Sequence, residues 1–263
     1  MTEQPDHDTR AAQAARARLR PAPPQAVERA AAHVRGGGLL VLPTDTVYGI
    51  GALARDAGAV ARLLAAKGRG RQMPPPVLVA GPEQLDGVVD DIPPAARALI
   101  ESCWPGALTL VLAAAPRLSW DLGETGGTIA VRMPDHPLAL ALLRATGPMA
   151  VTSANRTGRP PTTDAASARA ALPSRSGAGG PQDVLVLDGG PTPGPVPSTI
   201  VSLVAGPADH AAAPVVLRDG VLSRAALAAV LRAAGAPPLA DAMDAMDAMD
   251  AMDVEEEHKG VGA

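Results

Sequence analysis

The 263-residue chain contains no phenylalanine, one tyrosine (Tyr48), two tryptophans (Trp104 and Trp120) and one cysteine, Cys103. A single cysteine excludes an intramolecular disulfide and a cysteine-based zinc site, which fits a reducing compartment and a cytoplasmic location. Apolar runs are strand-length and interrupted, far short of the roughly 20 residues a membrane-spanning helix needs. No membrane association is therefore expected. With so few aromatics, the 47% hydrophobic fraction must be packed from Ala, Val and Leu, which demands close approach of helices and strands. The familiar nucleotide fingerprints are missing as well: there is no Gly-x-x-x-x-Gly-Lys-Ser/Thr and no Gly-x-Gly-x-x-Gly after a strand-like run. His136 has no second histidine or carboxylate at ligand spacing, so a metal centre of protein ligands is not expected.

The net charge of −4 is unevenly spread. From Asp241 onward eight acidic residues stand against one lysine, a balance of −7 that leaves +3 on residues 1–240. A mildly basic body suits an anionic ligand, although so small an excess argues against strong nonspecific RNA binding. The triplet Asp-Ala-Met recurs in this tail with nothing evident to pack against, so residues 235–263 read as an acidic, low-complexity and disordered segment. Residues 1–24 read as a flexible leader, and residues 25–234 as the folded domain.

Within that domain, apolar runs and breakers alternate. Helices are expected from Gln25 to Arg35, from a cap at Asp56 to about Ala66, and from Pro93 to Ser102. Three more run from Pro137 to Thr146, from about Asp164 to Leu172, and from Ser223 to about Ala233. Strand-like runs cover 39–42, 77–79, 108–112, 128–131, 149–152, 184–187, 199–204 and 215–217. Ser174 to Pro181 reads as an exposed loop. The class is α/β with a mixed, open sheet.

Polar residues gather where these strands end: Thr44 to Thr46, Arg132, Ser153 with Asn155, and Arg218. The crevice beyond strand ends is the usual ligand site of such folds. Lys67 and Arg69 close the second helix; taken alone, the pair is explained by the negative end of the helix dipole. His136, just before Pro137, suits either a helix cap or a ligand contact. Cys103 beside Trp104 reads as core packing.

Six blocks in order carry a resemblance: Pro43-Thr44-Asp45-Thr46-Val47-Tyr48-Gly49, Lys67-x-Arg69, Trp104-Pro105-Gly106-x-Leu108-Thr109, Thr128-Ile129-Ala130-Val131-Arg132-x-Pro134-x-His136-Pro137, Ser153-Ala154-Asn155 and Ser198-Thr199-Ile200-Val201. The chain resembles the YrdC/TsaC family of L-threonylcarbamoyladenylate synthases from about Gln25 to Ala234, in its short, single-domain form. The resemblance implies a twisted open sheet around a large concave cavity. It also implies a nucleotidyltransferase that joins L-threonine, bicarbonate and ATP into threonylcarbamoyl-AMP and pyrophosphate. The product would pass to a downstream transferase complex that modifies tRNA. By the same resemblance Lys67, Arg69, Thr128, Ser153, Asn155 and Arg218 line the ATP side, with Lys67 and Arg69 catalytic. Thr46, Arg132, Ser198 and the backbone at Val151 would hold threonine, and Mg2+ would bridge the phosphates with few or no protein ligands. A non-catalytic RNA-binding module of the same fold is the alternative, and whether tRNA is contacted directly is left open.

Overall fold

The computed structural model describes residues 24–172, 184–204 and 213–240. The expected leader up to Pro23, the segment Ser174 to Pro181 and the Asp-Ala-Met repeats lie outside the described residues. In chain order the elements are α1 (Pro24–Arg35), β1 (Leu39–Leu42), β2 (Gly49–Leu53), α2 (Ala57–Lys67), β3 (Val77–Leu78) and a 3-10 turn (Pro82–Leu85). There follow α3 (Pro94–Cys103), β4 (Leu108–Ala113), β5 (Thr128–Arg132), α4 (Pro137–Thr146), β6 (Met149–Ser153) and α5 (Ala165–Ala171). The series ends with β7 (Val184–Val186), β8 (Thr199–Ser202), β9 (Val215–Arg218) and α6 (Arg224–Ala233). The mixed α/β class expected from the sequence is the class observed.

The chain divides into two compact units. The first comprises Met1–Ala80, Ser119–Glu124 and Pro134–Val196. Its strands lie in the order β7-β1-β2-β6-β3, with β7 parallel to β1 and every other pairing antiparallel. Helices α1 and α4 pack against each other, and their Ala30, Ala31, Val34, Leu138, Leu142 and Leu143 meet Leu40, Leu42 and Met149 in a buried core. The aromatic-poor composition is met as expected, by Leu, Val and Ala. Among the described residues of this unit, the large exception is Tyr48, which is fully buried.

The sequence reading places no strand between Gly49 and Asp56, yet β2 occupies Gly49–Leu53. Gly and Ala are depleted in strands, which hides it. Glycine is required there because β6 runs very close. A Cβ on Gly51 would stand 2.7 Å from Val151 Cγ2 and 2.9 Å from the Ala150 carbonyl oxygen. A backbone oxygen cannot swing aside as a side chain can, so the pairing of β2 with β6 depends on the missing side chain.

The second unit comprises Gly81–Leu118, Thr125–Met133 and Pro197–Ala263. Its strands lie in the order β5-β4-β8-β9; β4 and β8 are parallel, and the outer pairings are antiparallel. A register irregularity at Ile200/Val201 bends β8 next to Ser198. Helix α3 packs on α6, and Trp104, at the end of α3, donates its indole N–H to the Leu108 carbonyl at 2.9 Å. Leu99, Leu108, Leu110, Leu112, Leu227 and Leu231 are fully buried in this unit. Cys103 is partly buried, and burial raises its thiol pKa, consistent with a packing residue rather than a nucleophile.

Candidate active site

In the first unit the site begins where β1 ends. Pro43 stops the strand and Thr44 folds the next residues into a tight turn. The Thr44 hydroxyl donates to the Val47 carbonyl at 2.7 Å and accepts from the amides of Thr46 and Val47. Its oxygen also lies 3.0 Å from the Thr46 hydroxyl. The sequence marks this stretch as a polar loop, but Thr44, Thr46 and Tyr48 are all buried. The reason is local: side-chain oxygens satisfy the backbone, so water is not needed.

Tyr48 anchors the turn from behind. Its hydroxyl donates to the Gly190 carbonyl at 2.7 Å and accepts from the Gly189 amide at 3.2 Å. Burial, with Asp188 nearby, pushes the phenol up to about 12. The Tyr48 carbonyl accepts from the Ala154 amide at 2.8 Å, which ties the turn to the loop after β6.

That loop carries Ser153 and Asn155, and the structure brings both to Lys67. Helix α2 starts at the Asp56 cap, whose carboxylate accepts from the Ala59 amide at 2.9 Å, and ends at Gly68 in the left-handed conformation. Lys67 is its last residue and only 2% exposed. Its ammonium donates to the carbonyls of Ser153 and Asn155 and lies 3.5 Å from Ser153 Oγ and 3.4 Å from Asn155 Oδ1. Burial first, and then the Arg69 charge, pull its pKa down to about 8. The helix-dipole account of this lysine is therefore incomplete, because the side chain turns into the loop.

Arg69 is half-buried, and burial lowers its pKa as well. Its Nε is buried without a hydrogen-bond partner among the described residues. An unpaired buried donor is costly, and an anion arriving there would satisfy it. Val151 is held by its own strand pairing, and its amide donates to the Pro76 carbonyl at 2.8 Å.

His136 resolves as a helix cap. Its Nδ1 accepts from the Leu138 amide at 3.3 Å, so the neutral ring carries its proton on Nε2, which is buried and unpartnered. Burial pushes its pKa down to about 4 against the opposing influence of Asp45 and Asp135.

The remaining candidates belong to the second unit. Ser198 lies between two partners: its hydroxyl is 2.8 Å from Thr109 Oγ1, and Arg218 Nη2 donates to it at 3.1 Å. Arg218 also donates to the Ser198 carbonyl from Nε and Nη2 at 3.2 and 2.8 Å. Arg132 is 6% exposed and donates from Nε to the Gly106 carbonyl at 2.9 Å. Thr128 stands apart at the start of β5 and donates to the Thr125 carbonyl at 2.8 Å. The structure thus gathers Lys67, Ser153 and Asn155 in one unit and Ser198 with Arg218 in the other.

Sequence reasoning gave no role to Thr109 or Thr157. Thr109 sits in the Trp-Pro-Gly block, which was its available signal. Thr157 donates to the Lys67 carbonyl from its hydroxyl at 3.1 Å, a contact with no mark in the sequence. Among the described residues, no group of three or more His, Cys, Asp or Glu side chains is placed to hold a metal ion. No helix among the described residues is long and apolar enough to cross a membrane.

The family model Sua5/YciO/YrdC, described as telomere recombination, matches residues 32–220. A Mycobacterium tuberculosis protein provisionally named as a threonylcarbamoyl-AMP synthase is 50% identical over 198 residues, covering 75% of this chain and 85% of its own. The threonylcarbamoyl-AMP synthase of Bacillus subtilis is 39% identical over 211 residues, covering 78% of this chain and 56% of its own. Among solved structures, Pyrococcus abyssi Sua5 complexed with L-threonine superposes with a TM-score of 0.69 at 36% identity. That match covers 81% of this chain and 58% of the Pyrococcus chain, so this chain spans little more than half the length of that relative.

Proposed function

We propose that this chain, which belongs to the Sua5/YciO/YrdC family, is an ATP-using threonylcarbamoyl-AMP synthase of the nucleotidyltransferase class. The observation that carries the reading is the buried Lys67–Ser153–Asn155 cluster with the unpartnered Arg69 Nε beside it. It occurs in a chain half identical to a relative bearing the synthase name. The names of these relatives favour the synthase over a non-catalytic RNA-binding module.

In the proposed reaction the threonine amine and bicarbonate condense to a carbamate with loss of water. A carbamate oxygen then attacks the α-phosphorus of ATP, and the bond to pyrophosphate breaks. Two anions must meet, so fixed cations carry the catalysis through charge-assisted hydrogen bonds and positioning rather than through a general base. Lys67, Arg69, Ser153 and Asn155 supply the nucleotide subsite of the first unit. Thr128 and Arg218 are assigned to the nucleotide by the family resemblance alone. Thr46 and the Val151 backbone, together with Arg132 and Ser198, are assigned to threonine, with the Arg132 guanidinium for its carboxylate. Because the Val151 amide is committed to Pro76, only its carbonyl is available for the threonine amine. Mg2+ would arrive on the triphosphate oxygens and offset their charge. The product would feed a tRNA-modifying transferase.

Pyrophosphate release, measured with threonine, serine and bicarbonate each added or omitted, tests the proposal. Release that requires both threonine and bicarbonate is expected. Release independent of either one refutes the synthase reading.

A further inference from the structure

The four polar side chains of the first unit's nucleotide subsite are not equally free to meet a ligand. A lysine ammonium has three N–H donors. Around Lys67 Nζ stand four oxygens: the Ser153 and Asn155 carbonyls, Ser153 Oγ at 3.5 Å and Asn155 Oδ1 at 3.4 Å. With the side chain 2% exposed, no donor is left to point outward. The Lys67 carbonyl meanwhile accepts from Thr157, from its hydroxyl at 3.1 Å and its amide at 3.5 Å. The segment from Ser153 to Thr157 is thus wrapped around one residue and held at both ends.

Asn155 is equally committed. It is 6% exposed, and its Nδ2 donates to the carbonyls of Arg156 at 3.0 Å and Arg159 at 2.6 Å. Its Oδ1 faces the Lys67 ammonium. Ser153 and Arg69 differ. The Ser153 side chain is half-buried with only the long contact to Nζ. Arg69 is half-buried with its Nε unpartnered.

We infer that Lys67 and Asn155 are positioning residues that build the Ser153–Thr157 loop, and that Arg69 and the Ser153 hydroxyl are the groups that touch the nucleotide's phosphates. The inference rests on the synthase reading only for the identity of the anion; the loop's dependence on Lys67 is a property of the ligand-free chain. The clamp acts on backbone carbonyls, so it sets the direction of the Ser153 hydroxyl and the loop amides rather than the charge presented to phosphate.

The experiment compares the full chain with its Lys67→Met and Arg69→Met variants. Amide hydrogen exchange is read without ligand at Ala154, Asn155 and Thr157. In Lys67→Met these amides are expected to exchange roughly tenfold faster, while Arg69→Met leaves them within about twofold of the parent, as local opening rather than global unfolding requires. In pyrophosphate release with ATP varied, Lys67→Met is expected to lower kcat about tenfold or more with KM for ATP within about threefold. Arg69→Met is expected to raise that KM about tenfold, the pattern that separates a positioning role from ground-state binding. Unchanged loop exchange in Lys67→Met, or a rise of about tenfold in its KM for ATP, overturns the inference. If Lys67→Met does not fold, Lys67→Gln, which keeps N–H donors without the charge, takes its place: a KM for ATP within about threefold of the parent is expected, and a rise of about tenfold overturns the inference. A parent chain that releases no pyrophosphate with threonine and bicarbonate refutes the synthase reading, and the exchange measurement still decides the role of Lys67.

Discussion

Acid should unfold this protein partly through His136, and the size of the effect can be worked out. The ring is 1% exposed, its Nδ1 caps α4, and burial holds its pKa at about 4 against an ordinary 6.5. Between those values the unfolded chain binds a proton that the folded chain refuses. Stability is therefore undiminished above about pH 6.5 and falls as pH drops toward 4. At ~1.4 kcal/mol for each pH unit separating the two values, the limit is about 3 kcal/mol, of which about 2 kcal/mol is reached by pH 5. The variant is His136→Asn, which keeps a side-chain acceptor at the cap and removes the titration. Urea unfolding midpoints of both proteins at about pH 7.5, 6 and 5 give the comparison. The variant carries some fixed cost from lost packing, but that cost is the same at every pH. The parent is expected to lose about 2 kcal/mol more than the variant between the two ends of the series. Parallel pH dependences, within about 0.5 kcal/mol, would refute the reasoning, because they would mean the ring is protonated or hydrated in the folded state.

Three further predictions concern the sheet, the turn and the lysine. Gly51→Ala places a methyl 2.9 Å from the Ala150 carbonyl oxygen and 2.7 Å from Val151 Cγ2. It should cost about 1–3 kcal/mol by overpacking, read in urea unfolding; a neutral result would show that β2 and β6 can separate cheaply. Tyr48→Phe leaves the Gly190 carbonyl and Gly189 amide without their buried partner. It should cost about 1–3 kcal/mol of stability and raise KM for threonine, since the Thr44–Thr46 turn loses its backing. With Lys67 held at about 8 by burial and by Arg69, synthase turnover should fall as pH rises through about 8. Stability should not fall there: an unfolded lysine keeps its proton to about 10.5, so this group's unfavourable contribution is relieved between those values. Parallel loss of rate and stability would assign the alkaline limb to unfolding instead.

Helix starts were legible in the sequence because a cap is a local signal. Asp56 and Ser223 each accept from an amide three residues on, at 2.9 and 3.2 Å, where the residue types alone place them. Strand β2 was not legible, because its glycines answer to β6 a hundred residues later. The same holds for the site. Lys67, Ser153 and Asn155 stood out through their motif blocks, and the structure does bring them together. What the lysine holds there was hidden, since it grips main-chain carbonyls, and every residue has one. Thr109 and Ser198, 2.8 Å apart, are joined only by the parallel pairing of β4 with β8. No local pattern encodes that register.

The composition gives a physical reason for this style of site. Twenty-eight prolines remove backbone N–H donors from the chain, so its loops cannot pair all their carbonyls with backbone amides. Side-chain donors take their place. The hydroxyls of Thr44 and Thr199 donate to the carbonyls of Val47 and Leu222, and both threonines are buried. A hydroxyl can serve one carbonyl in this way, but the Ser153–Asn155 turn directs two toward one point. An ammonium matches that geometry, and a cation in so dry a place is tolerable only when oxygens surround it. On this argument the charge of Lys67 is largely neutralised by the loop it organises. The nearby electropositive field that an anion meets then comes chiefly from Arg69, whose Nε has no hydrogen-bond partner among the described residues.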